Sequence, residues 1–203
     1  MSRIPNLLTG LRIALALFTF FGLAGAVLLG EQLTQATQFG LERWAFFAFV
    51  AAALSDFFDG WLARKLHAET LWGAILDPIA DKVLVCGAIL GLLSLGSNAQ
   101  VAIPAALILF REFTVSALRE VAAGKGVSLP VTLLAKWKTT LQLVALGAEM
   151  LVACWAAFSL PNDPNILGTA TLIAHGLLWL AALITLITGA QYWEQARAAL
   201  GGE

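Results

Sequence analysis

Residues 55–83 read SDFFDGWLARKLHAETLWGAILDPIADKV. Four carboxylates interrupt this apolar stretch in a fixed pattern: Asp56-x-x-Asp59-Gly60-x-x-Ala63-Arg64, then eight residues, then Gly73-x-x-x-Asp77-x-x-x-Asp81. An ionised carboxylate at a bilayer centre costs about 2.5–3.5 kcal/mol even on the lenient insertion scale, so four on neighbouring segments need compensating charge. A divalent cation is the natural source of it.

The rest of the chain explains why a bilayer is the relevant solvent. Of its 203 residues 60% are hydrophobic and only 12% charged, with a mean hydropathy of +0.84. Soluble domains are usually about one quarter charged. The net charge of −1 gives no electrostatic footprint for a nucleic acid, and none is expected as a partner. Cys86 and Cys154 stand in apolar stretches with no Cys or His at ligand spacing, so they read as small buried hydrophobes, not as a disulfide or zinc site. Arg3 ahead of an apolar run, with Ala24-Gly25-Ala26 after it, resembles a cleaved signal peptide. Arg12 interrupts that run and the run is long enough to span, so the segment is expected to be a retained helix.

Spanning helices need about 20 mostly apolar residues. Six stretches qualify: Leu8 to Leu29, Trp44 to Leu66, Gly73 to Leu95, Val101 to Ala122, Leu134 to Phe158 and Ile166 to Trp193. Turn formers separate them at Gly30 to Gln38, Lys65 to Thr70, Gly96 to Gln100, Gly124 to Pro130 and Pro161 to Pro164. The expected fold is all-α, a polytopic membrane protein of six transmembrane helices, with residues 1–203 as one domain because no connection is long enough to form a module. Arg3, Arg12, Arg64, Lys65, Arg119, Lys125, Lys136, Lys138 and Arg197 fall on the side of the N-terminus, and Arg43 on the other. The positive-inside rule then puts both termini and the second and fourth loops in the cytoplasm. The four aspartates lie toward the cytoplasmic halves of the second and third segments.

Each helical residue turns about 100°, so positions three or four apart share a face. Asp56, Asp59, Gly60 and Ala63 make one stripe, and Gly73, Asp77 and Asp81 another. Across a hairpin the two stripes form a cluster of hard oxygen donors suited to Mg²⁺ or Mn²⁺. Small residues in membranes often only pack helices, but their interleaving with the acids also suits a nucleotide-sized slot. Arg64 is either a phosphate clamp or a snorkelling cation.

The pattern resembles the signature of the CDP-alcohol phosphotransferases, with every signature position met. That resemblance implies a two-metal centre of Asp56, Asp59, Asp77 and Asp81, with Asp81 also accepting the proton of the attacking alcohol. It implies a cytidine diphosphate site shaped by Asp59, Gly60, Ala63, Arg64 and Gly73. The N-terminal Ile4-Pro5-Asn6-Leu7-Leu8-Thr9-x-x-Arg12 resembles a segment that lies by the nucleotide in the family, which adds Asn6 and Thr9. Homodimers are a further implication.

A second cluster bears on the acceptor. Arg111-Glu112-Phe113-Thr114-Val115-Ser116-Ala117-Leu118-Arg119-Glu120 is followed by Lys136-Trp137-Lys138-Thr139. Arg111, Arg119 and Lys136 can form a cationic pocket for a second phosphate, or Glu112 and Glu120 can neutralise them as interhelical ion pairs; Lys138 can simply snorkel. The wording of both segments is similar to the family branch that makes phosphatidylglycerophosphate. The implied donor is CDP-diacylglycerol, the implied acceptor glycerol 3-phosphate, and the implied location the bacterial cytoplasmic membrane. Inositol phosphate or serine are the rival acceptors. A cation transporter is the rival from another class, although it explains neither Arg64 nor the signature. His67, Glu149 and His175 receive no role.

Overall fold

In hydrocarbon every backbone polar group must find a partner within the chain, which leaves helices and closed barrels as spanning elements. The computed structural model of this chain is helical, with no strand among its described residues. It describes residues 3–66, 71–96, 98–127 and 133–200, and the side chains of 7–55, 75–96, 98–127 and 137–199. Six α-helices follow one another: α1 Arg3–Leu28, α2 Gln35–Leu66, α3 Leu71–Ser94, α4 Ala99–Gly124, α5 Leu133–Ala153 and α6 Pro164–Leu200, with a 3-10 turn at Trp155–Phe158.

The helices coincide with the six apolar stretches but differ at their ends for local reasons. α2 starts inside the predicted turn because Thr34 Oγ1 accepts the backbone N–H of Thr37 at 3.3 Å, satisfying a first-turn donor as an N-cap does. α5 stops at Ala153, and Phe158 swings back on the 3-10 turn so that its ring meets those of Phe46 and Phe47, with centroids 5.1 and 5.9 Å apart. α3 ends in a turn at Gly96, whose φ of +85° suits a residue without a side chain. α4 is then capped by Asn98, which accepts from Gln100 N at 2.9 Å. Pro164 opens α6, where its missing N–H has no helical partner to lose.

Three helices are long and apolar enough, among the described residues, to cross a membrane: Leu7–Leu28, Ala99–Gly124 and Pro164–Ala199. Large apolar side chains on them, such as Phe21, Leu28, Phe110 and Leu172, are exposed. A water-soluble protein would pay heavily for such faces, whereas lipid solvates them.

The chain divides into two compact units. Met1–Ser97 and Leu146–Thr171 make one; Asn98–Ala145 and Leu172–Glu203 make the other. In the first unit α1 packs on both α2 and α3. Small side chains allow this: Ala16 and Ala26 of α1, Ala45 and Ala52 of α2, and Ala80 and Ala88 of α3 are fully buried. Close approach of backbones is the usual source of packing energy when lipid removes the hydrophobic drive between helices. A Cβ at Gly87 would sit 2.9 Å from the Ala16 carbonyl oxygen, so α3 meets the backbone of α1 itself there. At Gly91 the corresponding atom is Leu23 Cδ1, the movable end of a side chain, also at 2.9 Å. In the second unit Val115, Ala122, Tyr192 and Ala196 are buried together, with Leu118 and Val127 against them.

Gly87→Ala is therefore expected to destabilise the protein by about 1–3 kcal/mol through overpacking, and Gly91→Ala by clearly less. Thermal unfolding of the two variants in the same detergent checks the order.

Candidate active site

Two rungs join α1 to α3. Thr9 and Arg12 are one turn apart on α1, and Asp77 and Asp81 one turn apart on α3. Thr9 Oγ1 donates to Asp77 Oδ1 at 2.7 Å, and Arg12 Nη1 donates to Asp81 Oδ1 at 2.9 Å. The donors are buried, Thr9 and Arg12 each only 1% exposed. The carboxylates are not: the Asp81 side chain is 49% exposed and Asp77 is exposed too. Each acid is thus held from α1 while part of its side chain stays exposed. A carboxylate offers about four lone-pair sites, and the bond from α1 orients it by taking up one of them. Pro78, inside α3 beside Asp77, has no N–H to give the preceding turn, which loosens the helix where the two acids project.

Asp56, Asp59, Gly60, Ala63 and Arg64 lie on α2, Gly73 on α3, Asn6 on α1 and Lys136 on α5. Their side chains are outside the described ones. Among the described residues no group of three or more His, Cys, Asp or Glu forms a metal site. The two acids that are described suit a hard divalent ion, because both present carboxylate oxygens, one helical turn apart, with their orientation fixed from α1.

The second unit holds a different polar assembly. Arg111, 8% exposed, lies on α4 and reaches α6, where its Nη2 donates to Thr188 Oγ1 at 3.0 Å. Its Cζ is 5.7 Å from the centre of the Tyr192 ring, within the range of a cation–π contact. Its Nη1 donates at 3.3 Å to Glu112 Oε1. Glu112 Oε1 also accepts from Lys138 Nζ and from Gln142 Nε2 at 3.3 Å, and Gln142 donates in turn to Thr185 Oγ1 at 2.8 Å. Lys138 does not snorkel: it is 5% exposed, because the Glu112 carboxylate and the membrane-facing flanks leave its ammonium a better partner inside than out. The ion-pair alternative for Glu112 is thus realised with Lys138 and, more loosely, with Arg111. Arg119 is two turns further along α4, about 12 Å by helical rise, and is exposed.

Beside Arg111 the surfaces of α4 and α6 enclose a groove of about 300 Å³ lined by Leu107, Phe110, Leu118, Leu186, Ala190 and Trp193 among others. Its lining is apolar apart from the guanidinium and Thr114.

Sequence reasoning missed the contribution of α6 and the partner of Thr9. The first had a visible signal: Thr185, Thr188 and Tyr192 recur at helical spacing in an otherwise apolar segment, and Tyr192 is the only tyrosine in the chain. Thr9, expected beside the nucleotide, has its hydroxyl on Asp77, a contact 68 positions away that no local pattern announces.

Residues 2–187 match the family model described as CDP-alcohol phosphatidyltransferase, and the chain belongs to that family. Within it the chain is similar to a CDP-diacylglycerol–glycerol-3-phosphate 3-phosphatidyltransferase of Cereibacter sphaeroides, at 36% identity with 95% of each chain covered. Proteins of the same description from Rickettsia bellii and Haemophilus influenzae are 44% and 36% identical. The first covers 73% of this chain and 76% of its own, the second 75% and 76%.

Residues that orient metal ligands typically contribute 10–100-fold to metal affinity. Thr9→Val should weaken Mn²⁺ binding by about that range while leaving the helical content unchanged. Calorimetric titration of the purified protein with Mn²⁺, beside a circular dichroism spectrum, measures both.

Proposed function

We propose that this chain transfers the phosphatidyl group of CDP-diacylglycerol to sn-glycerol 3-phosphate, giving phosphatidylglycerophosphate and CMP. The observation that carries this reading is its likeness to a transferase of that description along 95% of both chains, joined to the paired carboxylates on α3.

The sn-1 hydroxyl oxygen of the acceptor attacks the phosphorus that bears diacylglycerol, and the bond from that phosphorus to the bridging oxygen of CMP breaks. Asp81 takes the hydroxyl proton on a carboxylate oxygen, and Arg12 holds that carboxylate toward the acceptor. Asp56, Asp59, Asp77 and Asp81 would hold two divalent ions, Mg²⁺ or Mn²⁺, which when bound polarise the phosphorus and neutralise the diphosphate. Asn6, Thr9, Asp59, Gly60, Ala63, Arg64 and Gly73 line the cytidine diphosphate site, and Thr9 also fixes Asp77.

Arg111, Arg119 and Lys136 take the phosphate of the acceptor. Lys138 is satisfied by Glu112, so the positive charge left for a dianion comes from those three. A neutral polyol would not need such a pocket. In the same reading all six helices cross the bacterial inner membrane, with both termini and the carboxylates on the cytoplasmic side. The chain acts as a single domain and as a homodimer, a state that crosslinking in native membranes tests.

Asp81→Asn is expected to abolish CMP release while CDP-diacylglycerol still binds; a fully active variant would remove Asp81 as the base. An acceptor panel tests the substrate. Purified protein with CDP-diacylglycerol and Mg²⁺ or Mn²⁺ should release CMP with glycerol 3-phosphate and not with serine or inositol 1-phosphate. Chelation of the metal should stop the reaction, and re-addition restore it.

A further inference from the structure

α6 presents a polar edge to α4 that the reaction as written does not use. Thr185, Thr188 and Tyr192 share a face of this helix, and Gly189 lies next to them. Thr188 Oγ1 is within 2.9 Å of the Ile184 carbonyl and 3.0 Å of the Thr185 carbonyl. Its single proton is therefore directed into its own helix, and its lone pairs face Arg111 Nη2 at 3.0 Å. Tyr192 lies against the guanidinium from the following turn. A Cβ on Gly189 would come within 2.9 Å of Arg111 Cγ and 3.4 Å of Nε. Cγ is near the root of the side chain, so the whole arginine would have to leave its present path.

The surroundings explain why such guidance is needed. Arginine reaches its ligand through several rotatable bonds, and the groove on its flank offers no polar anchor beyond Thr114. Without a hold from α6 the side chain has other rotamers available, and the guanidinium is no longer fixed in one place. Pre-organised charge loses less on binding than charge that must be ordered by the ligand.

We propose that Thr188 and Gly189 are positioning residues for the acceptor: they set the rotamer of Arg111 so that its remaining N–H groups meet the phosphate of the incoming alcohol, and they thereby select dianionic acceptors. This rests on the assignment of Arg111 to the acceptor phosphate given above. Thr188 acts by accepting from Nη2, and Gly189 by leaving the channel in which the side chain runs. Neither touches substrate.

The test compares wild type, Thr188→Val, Thr188→Ser, Gly189→Ala and Arg111→Ala. Steady-state kinetics are measured for both substrates, together with calorimetric binding of glycerol 3-phosphate in the absence of donor and thermal unfolding. Thr188→Val and Gly189→Ala should raise KM for glycerol 3-phosphate about tenfold or more, since small misplacements of a binding group are costly. Their KM for CDP-diacylglycerol should stay within about twofold, the pattern of lost acceptor binding alone. Thr188→Ser keeps the accepting oxygen and should behave as wild type. Calorimetry should show the same loss of affinity in Val and Ala variants and its retention in Ser. The proposal is overturned if Arg111→Ala weakens the acceptor and the α6 variants do not, or if the α6 variants weaken both substrates in step with a fall in melting temperature. If Arg111→Ala itself leaves acceptor KM unchanged, the assignment of Arg111 fails, and the role of α6 with it.

Discussion

The ion pair between Arg12 and Asp81 is the interaction on which the candidate site depends. A guanidinium buried to 1% exposure among apolar helices is tolerable only with an anion at contact distance, and the half-exposed Asp81 carboxylate supplies it. Each supplies the other's counter-charge and, in doing so, fixes where α1 lies along α3. Thr9 and Asp77 repeat the arrangement one turn away with a neutral donor. What results is a pair of acids oriented from α1 with part of each side chain exposed, a disposition that suits the divalent ions proposed above.

The second unit solves the same electrostatic problem with different means. Two cations, Arg111 and Lys138, share one carboxylate, Glu112, and the remaining donors are distributed over Gln142, Thr185 and Thr188. Low local dielectric strengthens each of these bonds and makes a broken one costly, so the network ties these segments of α4, α5 and α6 together.

Most of the helical frame was legible because its signals are local. Apolar run length located all six helices, and Gly96, Asn98 and Pro164 marked their boundaries within a few residues. The aspartate stripe was legible for the same reason: helical periodicity fixes which residues share a face before any partner is known. The partners themselves were not. Thr9 meets Asp77 across 68 positions, Arg12 meets Asp81 across 69, and Arg111 meets Thr188 across 77. Nothing in a local pattern gives the rotation of one helix against another, and so neither the bond from Thr9 to Asp77 nor the hold of α6 on Arg111 could be foreseen. Lys138 illustrates the remaining difficulty. A lysine near the end of an apolar helix ordinarily reaches for water, and here a carboxylate on a different helix, Glu112, holds it inside.

The close contact of Gly87 with the Ala16 backbone has a consequence for what lengths the chain can have. On α1, Ala16 is one turn beyond Arg12, so the same short segment carries a steric stop and two electrostatic latches. Inserting a single residue between Arg12 and Ala16 would displace the latches by about 1.5 Å and rotate them by about 100° relative to the stop. Both acids would lose their donors at once, although no residue of the site had changed. The segment from Thr9 to Ala16 is accordingly a ruler, calibrated in whole helical residues. The turn at residues 29–34 lies outside that segment, so a change of length there leaves the spacing of stop and latches as it is.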